Sequence, residues 1–304
     1  MNLPRRYLMC PPDHFRVAYA INPWMDLDTP VDPALAGKQW LRLREALVGL
    51  GHTVHELDPE PDLPDMVYAA NGGFLLDGIA YGAQFRHPQR APEVDAHRRW
   101  YQRQGWDYVV PAAAAEGEGD LAWTGELILA GYGYRTEPAA HRHAEEVFGH
   151  PVLSLQLVDP RFYHLDTALA VLSQHPGGDP DRPRVAYFPG AFSPASQRLL
   201  RRLYPDALLA DQTDAARFGL NLVSDGRHVV LNAEATGMAA KLAAAGYQPV
   251  PVELSELKKG GGSAKCCVLE LHGSGVDPAA GSAQRPELGA HQVGQHRAVP
   301  ADLP

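Results

Sequence analysis

Two hydrophobic periods alternate down most of this chain. Over 33–50 the apolar residues Trp40, Leu43, Leu47 and Leu50 recur at helical spacing. Pro33 stands where a helix start tolerates a missing N–H, and Gly51 stands where a helix commonly ends. Residues 53–57 then read as a strand. The same order of amphipathic helix, stop and strand returns four times. The helices fall at 92–104, 137–148, 194–204 and 234–245; the stops are Gly105, Gly149, Pro205 and Gly246; the strands are 106–110, 152–155, 207–210 and 250–254. Further apolar strands are expected at 7–10, 73–81, 126–132, 167–172, 185–188 and 229–232. Repeats of this size mark one supersecondary unit copied and stacked. Five units without a polar capping repeat favour a closed ring, which leaves few sheet edges exposed. A doubly wound parallel sheet fits less well, because extra strands separate the helices and no GxGxxG opens one. The expected organisation is one α/β domain over 1–272. A tail over 273–304, rich in Gly, Pro, Ala and polar residues, is expected to be disordered or loosely attached.

Composition narrows the function classes. Of the 304 residues 45% are hydrophobic and 21% charged, with a formal net charge of −9. No basic stripe points to nucleic acid. No apolar run approaches the roughly 20 residues of a membrane span, and the apolar stretch after the N-terminus is too short for a signal peptide. The three cysteines, Cys10, Cys266 and Cys267, make no disulfide framework and suit a reducing cytoplasm. With no CxxC and no HExxH, neither a metal nor another cofactor is expected. A homo-oligomer is compatible with the sequence.

The stretch richest in chemistry is 260–271, where three glycines run into Lys265, Cys266 and Cys267 before an alternating apolar segment. Positive charge near a thiol favours the reactive thiolate. A flexible loop, a cation and a thiol can make a nucleophile site; a buried cysteine after a turn is the plainer alternative. Several other polar residues stand where strands end. Asp65 and Asn71 bracket an apolar run before a double glycine. Arg90 lies in a basic loop, Glu116 in an acidic glycine-rich loop, and Arg135 closes a strand. His164 and Asp166 are expected on one side of an extended segment, since side chains there alternate with period two. Taken singly, each has a plainer reading as a solvated turn or a surface charge, and for the acidic loop and the His-x-Asp pair the plainer reading is the commoner one. A ring of repeated units brings such loops to one axis.

These residues carry a resemblance. The segments 9–14, 21–25, 64–68, 161–167 and 260–266 are similar to the guanidino-group-modifying enzymes: arginine deiminases, dimethylargininases and amidinotransferases. Among them, the catalytic domain of bacterial arginine dihydrolases resembles this chain most. The resemblance implies a five-bladed pseudo-symmetric α/β propeller of the pentein type, and a small guanidino substrate, arginine or methylated arginine. It puts Cys266 at the nucleophile's place, His164 at the general acid/base, and Glu116 at the acid that orients the histidine. It makes Asp166 a carboxylate that grips the guanidinium and Asp65 an acidic substrate contact. Arg90 and Arg135 would hold the substrate carboxylate, and Asn22 would lie in a loop lining the pocket. Asn71 stands where deiminases and dimethylargininases carry an aspartate, which resembles the dihydrolase pattern.

The implied chemistry is attack by Cys266 on the guanidinium carbon, proton transfer by His164, and hydrolysis of an S-alkylthiouronium intermediate, with Lys265 helping to lower the thiol's pKa. The expected outcome is conversion of arginine to ornithine, carbon dioxide and ammonia. The alternatives are dimethylargininase, giving citrulline and dimethylamine, an amidinotransferase, which needs an amine acceptor, and a non-enzymatic arginine-binding module. Cyanobacterial dihydrolases carry a further C-terminal domain, and at this length none is expected here.

Overall fold

The computed structural model describes residues 4–174 and 184–273. The tail expected from 273 onward lies outside the described residues, Gly273 excepted. The first blade begins with β1 (Arg6–Met9), crosses through α1 (Pro33–Gly49) and returns parallel to β1 as β2 (Thr53–Glu56). Asp32 caps α1, its carboxylate accepting from the N–H groups of Ala34 and Leu35 at 3.0 and 3.1 Å. Trp40, Leu43 and Leu47 make the buried face.

Three further blades share one plan: a short inner strand, an antiparallel middle strand, a crossover helix, and an outer strand parallel to the middle one. They are β3 (Gly73–Leu76), β4 (Ile79–Gly82), α2 (Glu93–Arg103) and β5 (Asp107–Val109); β6 (Leu121–Trp123), β7 (Ile128–Tyr132), α3 (Pro138–Phe148) and β8 (Val152–Gln156); and β9 (Leu169–Val171), β10 (Val185–Tyr187), α4 (Pro194–Leu203) and β11 (Leu208–Leu209). After the short α5 (Gln212–Ala216) the plan returns once more. Its strands are β12 (Val223–Ser224), β13 (His228–Asn232) and β14 (Gln248–Val252), with α6 (Thr236–Ala244) as the crossover. The short α7 (Ser255–Lys258) leads to β15 (Leu269–Glu270). β15 pairs antiparallel with β1 and supplies the inner strand that the first blade lacks. The last strand thereby closes the ring on the first. Five three-stranded mixed sheets result, the pentein-type propeller that the repeat count implied.

The strand expected over 73–81 is in fact a hairpin. Asp77 and Gly78 both take positive φ, 52° and 85°, the signature of a two-residue hairpin turn. An unbroken apolar run on both sides of that turn disguised it. β6 and β12 span three and two residues, too short to show a period, whereas β15 falls in the alternating segment expected after Cys267.

Apolar packing is concentrated between blades. One buried cluster joins α1 and β1 to β13 and β14, and another joins β1 and β15 to the second blade. Three more fill the remaining junctions. The axis is left to polar turns that precede each inner strand. Turns of 3-10 helix at Ala69–Gly72, Gly117–Gly119 and Leu165–Thr167 pack against one another in sequence. The amide of Asn221 bonds to the carbonyl of Asp166 and to Cys266, and the N–H of Ala70 bonds to the Cys266 carbonyl at 3.1 Å. These five turns form an inner circle. Among the described residues no helix is long and apolar enough to cross a membrane.

Candidate active site

The loop that carries Cys266 is fixed by backbone approach. Gly261 sits at φ +88°, and a Cβ there would lie 2.6 Å from the Asn22 side chain. Asn22 bridges this loop to its own, donating to the Gly260 carbonyl at 3.1 Å while accepting from the N–H of Trp24 at 2.9 Å. Cys266 is buried. Its thiol donates to Asp166 Oδ2 at 3.2 Å, and its sulfur accepts from Asn221 Nδ2 at 3.1 Å. Burial pushes the Cys266 thiol up, and the neighbouring Asp166 carboxylate adds to the rise. Burial also raises Asp166, to about 7. The free site therefore holds an uncharged thiol.

His164 Nε2 donates to Glu116 Oε2 at 2.8 Å. Burial alone would raise the Glu116 carboxyl, but Arg135 and His164 outweigh burial and hold it well below the usual carboxylate range. Arg135 reaches Glu116 Oε2 at 3.0 Å and the Ile21 carbonyl at 2.8 Å, and lies over the Tyr163 ring. Arg90 forks onto Glu93 at 2.8 and 2.9 Å and donates to Asn71 Oδ1 at 2.8 Å. Burial raises Glu93 to about 7 even beside this guanidinium. Asp65 accepts from Tyr19 at 2.9 Å, and burial raises its carboxyl while Arg90, 3.9 Å away, pulls the other way.

One pocket is lined by Asn22, Asp65, Asn71, Arg90, Arg135 and Cys266. The other three expected residues attach from behind: Glu116 through Arg135, His164 through Glu116, and Asp166 through Cys266. Asp166 also lines a second cavity, with Glu118, Lys265, Glu270 and His272, so the thiol–carboxyl pair stands between the two spaces. Asp65 Oδ1 and Asp166 Oδ1 are buried without a hydrogen-bond partner. Two such carboxylate oxygens near a thiol match the several N–H groups of a planar cation.

Two expectations are corrected. Lys265 does not serve the thiol: its ammonium bonds to Glu118 at 2.5 Å and to the Val268 carbonyl at 3.0 Å, so a carboxylate already balances its charge. Nor do His164 and Asp166 share one extended segment. His164 is extended at φ −122° and ψ 154°, but Asp166 lies within the 3-10 turn Leu165–Thr167, where period-two alternation does not apply. The sequence reading missed Asn221, Tyr19 and Tyr163. The repeat held a usable signal. Glu116 and His164 each stand five residues before an inner strand, Asp166 and Cys266 three, and Asn71 and Asn221 two. The two-residue β12 hides that register in the primary structure.

A ring of five mixed sheets with a thiol, buried carboxylates and a His–Glu pair on its axis has the architecture of the pentein class. No family model matches the chain. It is 54% identical over 268 residues to an N(G),N(G)-dimethylarginine dimethylaminohydrolase of Mycobacterium tuberculosis, covering 88% of this chain and 86% of that one. It is 35% identical over 274 residues to the bifunctional arginine dihydrolase/ornithine cyclodeaminase AgrE of Nostoc sp., covering 88% of this chain but 38% of that protein. Among solved structures, the N-terminal domain of the arginine dihydrolase ArgZ, covalently bound to a reaction intermediate, superposes with a TM-score of 0.82 at 32% identity, over 88% of this chain and 97% of that one. A dimethylarginine dimethylaminohydrolase adduct superposes at 0.73 with 18% identity, over 88% of this chain and 100% of that one, a likeness of fold. The chain belongs to the family of dimethylarginine dimethylaminohydrolases and arginine dihydrolases, within the guanidino-group-modifying superfamily.

Proposed function

We propose that this chain hydrolyses a guanidino C–N bond of arginine or an N-methylated arginine through a covalent adduct on Cys266. The observation that carries this reading is the placement of the Cys266 thiol between two carboxyl groups that each keep one unpartnered oxygen: Asp65, which shares its pocket wall, and Asp166, whose other oxygen it meets at 3.2 Å from behind that wall. The substrate cation takes the Asp166 carboxylate from the thiol and supplies the positive charge that favours thiolate. The thiol proton passes to His164, whose imidazolium faces the anionic Glu116. Sulfur adds to the guanidinium carbon. The C–N bond then breaks, and the His164 proton leaves with the amine. Water adds to the S-alkylthiouronium while His164 takes one of its protons; the C–S bond breaks to return thiolate, and the remaining hydroxyl proton leaves to solvent, giving a neutral ureido product. Arg90 and Arg135, both in the pocket wall, hold the substrate carboxylate. A reducing cytoplasm suits the three unpaired cysteines.

The arginine dihydrolase reading rests on Asn71. A carboxylate there would repel the carbonyl oxygen of a ureido intermediate, whereas an amide both donates and accepts. That lets the intermediate stay for a second hydrolysis to ornithine, carbon dioxide and ammonia. The dimethylargininase reading is favoured by the Mycobacterium tuberculosis relative at 54% identity. Mass spectrometry of products from L-arginine and from asymmetric dimethylarginine separates them. Ornithine with two ammonia per arginine is the dihydrolase result; citrulline with dimethylamine is the dimethylargininase result. Turnover that requires an added amine would instead indicate a transferase. Cys266→Ser should abolish turnover of either substrate, and a variant that kept full activity would overturn the covalent scheme.

A further inference from the structure

Asn221 belongs to no expected site and lies on the fifth blade, yet its amide is spent entirely on the catalytic loop and its neighbour. Oδ1 accepts from the N–H of Ser263 and the N–H of Cys266, both at 3.1 Å. Nδ2 donates to the Asp166 carbonyl at 3.2 Å and to Cys266 Sγ at 3.1 Å. The residue is wholly buried. Two backbone donors on one end fix which end is oxygen, so the end facing sulfur is N–H. Its backbone carbonyl also accepts from the Lys265 N–H at 3.4 Å.

We infer that Asn221 is a catalytic residue of this site: its side-chain N–H holds and stabilises the Cys266 sulfur as thiolate. Resting on the reading of Cys266 as nucleophile, this gives the sulfur two opposed neighbours. Asp166 accepts the thiol's hydrogen bond and opposes the anion; the Asn221 Nδ2 group can only donate, and so favours the anion. The bond serves sulfur twice, before attack and when the C–S bond breaks and the electron pair returns to it. Both are moments when charge on sulfur grows, where a preorganised donor counts most. The position is set by the repeat. Asn221 stands two residues before its inner strand, as Asn71 does in the second blade, so the same fold position presents one amide to the substrate pocket and one to the thiol.

The test compares Asn221→Ala and the isosteric Asn221→Asp with the parent chain. Iodoacetamide modification of Cys266 would be followed by peptide mass spectrometry across pH, alongside kcat and KM for whichever of L-arginine and asymmetric dimethylarginine is turned over. Asn221→Ala should raise the apparent thiol pKa by about one unit or more and lower kcat by roughly 10- to 100-fold, since a hydrogen bond to a charged group carries about that factor. KM should move less. Asn221→Asp keeps the two backbone N–H bonds but turns a carboxylate oxygen toward sulfur, so its thiol pKa should rise further. It decides the matter if Asn221→Ala does not fold. A rate loss with an unmoved pH profile of alkylation would make Asn221 a brace for the loop alone and overturn the inference. An unchanged rate in both variants would do the same. If Cys266→Ser kept turnover, the nucleophile reading would fall, while the alkylation profile would still decide whether Asn221 donates to sulfur.

Discussion

Asp166 shows how one carboxyl can be poised between two duties. Burial lifts it to about 7, so in the free enzyme it titrates near neutrality beside a thiol that stays protonated. Its folded value lies above its unfolded one, so ionising it costs stability as pH rises toward 7, and on the proposed reading the substrate cation offsets that cost on binding. Only the anion can hold a guanidinium. The ratio kcat/KM should therefore rise with pH through about 7, while the acid limb of kcat, measured with substrate bound, should lie lower. Asp166→Asn should remove that limb with most of the activity. An acid limb unaltered in residual Asp166→Asn turnover would assign the titration to another group. Lys265 illustrates the opposite case. A cation next to a cysteine in sequence is a natural activator on paper, but its ammonium is spent on Glu118.

Among the elements, the turns before the inner strands matter most. The acidic stretch Gly117–Gly119 resembles a solvated loop in composition, yet it is buried 3-10 backbone packed between neighbouring turns. Its glycines answer close approach: a Cβ on Gly119 would stand 2.3 Å from Asn71 Nδ2 and 3.2 Å from the His164 ring. Gly119→Ala should therefore displace Asn71 and disturb His164 together, lowering kcat/KM at least as much as loss of either interaction alone. The check is a steady-state assay beside a thermal melt. Near-normal melting with lost activity is the expected pattern, and near-normal activity would show that the turn yields.

For the molecule as a whole, closure is both a packing and an electrostatic event. β15 completes the first blade, and the residues around it form a buried network: Lys265 and His272 on Glu118, and Arg5 on Glu270. Burial by itself would lower His272, but Glu270 and Glu118 outweigh it and raise the imidazole to about 9. Its folded value exceeds its unfolded one, so the stabilisation is fully present below about 6.5 and is lost as pH rises through about 9. Melting temperatures of the parent chain and His272→Gln should differ most near pH 6 and converge toward pH 9.5. A constant gap across that range would mean that the charge on His272 does not support the closed ring.

Much of this was legible without coordinates. A helix needs only local spacing and a stop, so all five crossover helices and their outer strands fall where the apolar periods and Gly51, Gly105, Gly149, Pro205 and Gly246 put them. Five like units, each with an apolar face it cannot bury alone, imply stacking, and the quoted segments tied that stack to a family. The Asp77–Gly78 turn, β6 and β12 escaped because two or three residues carry no period. The site was legible as a set of residue types, but not as a circuit. That Lys265 turns to Glu118, that Asp166 meets the thiol from a 3-10 turn, and that Asn221 donates to sulfur from another blade are outcomes of ring closure. Such contacts join residues 45 to 147 positions apart. Local preference sets the elements, whereas burial and mutual charge, which exist only once the blades meet, set the partners and proton affinities of the groups on the axis.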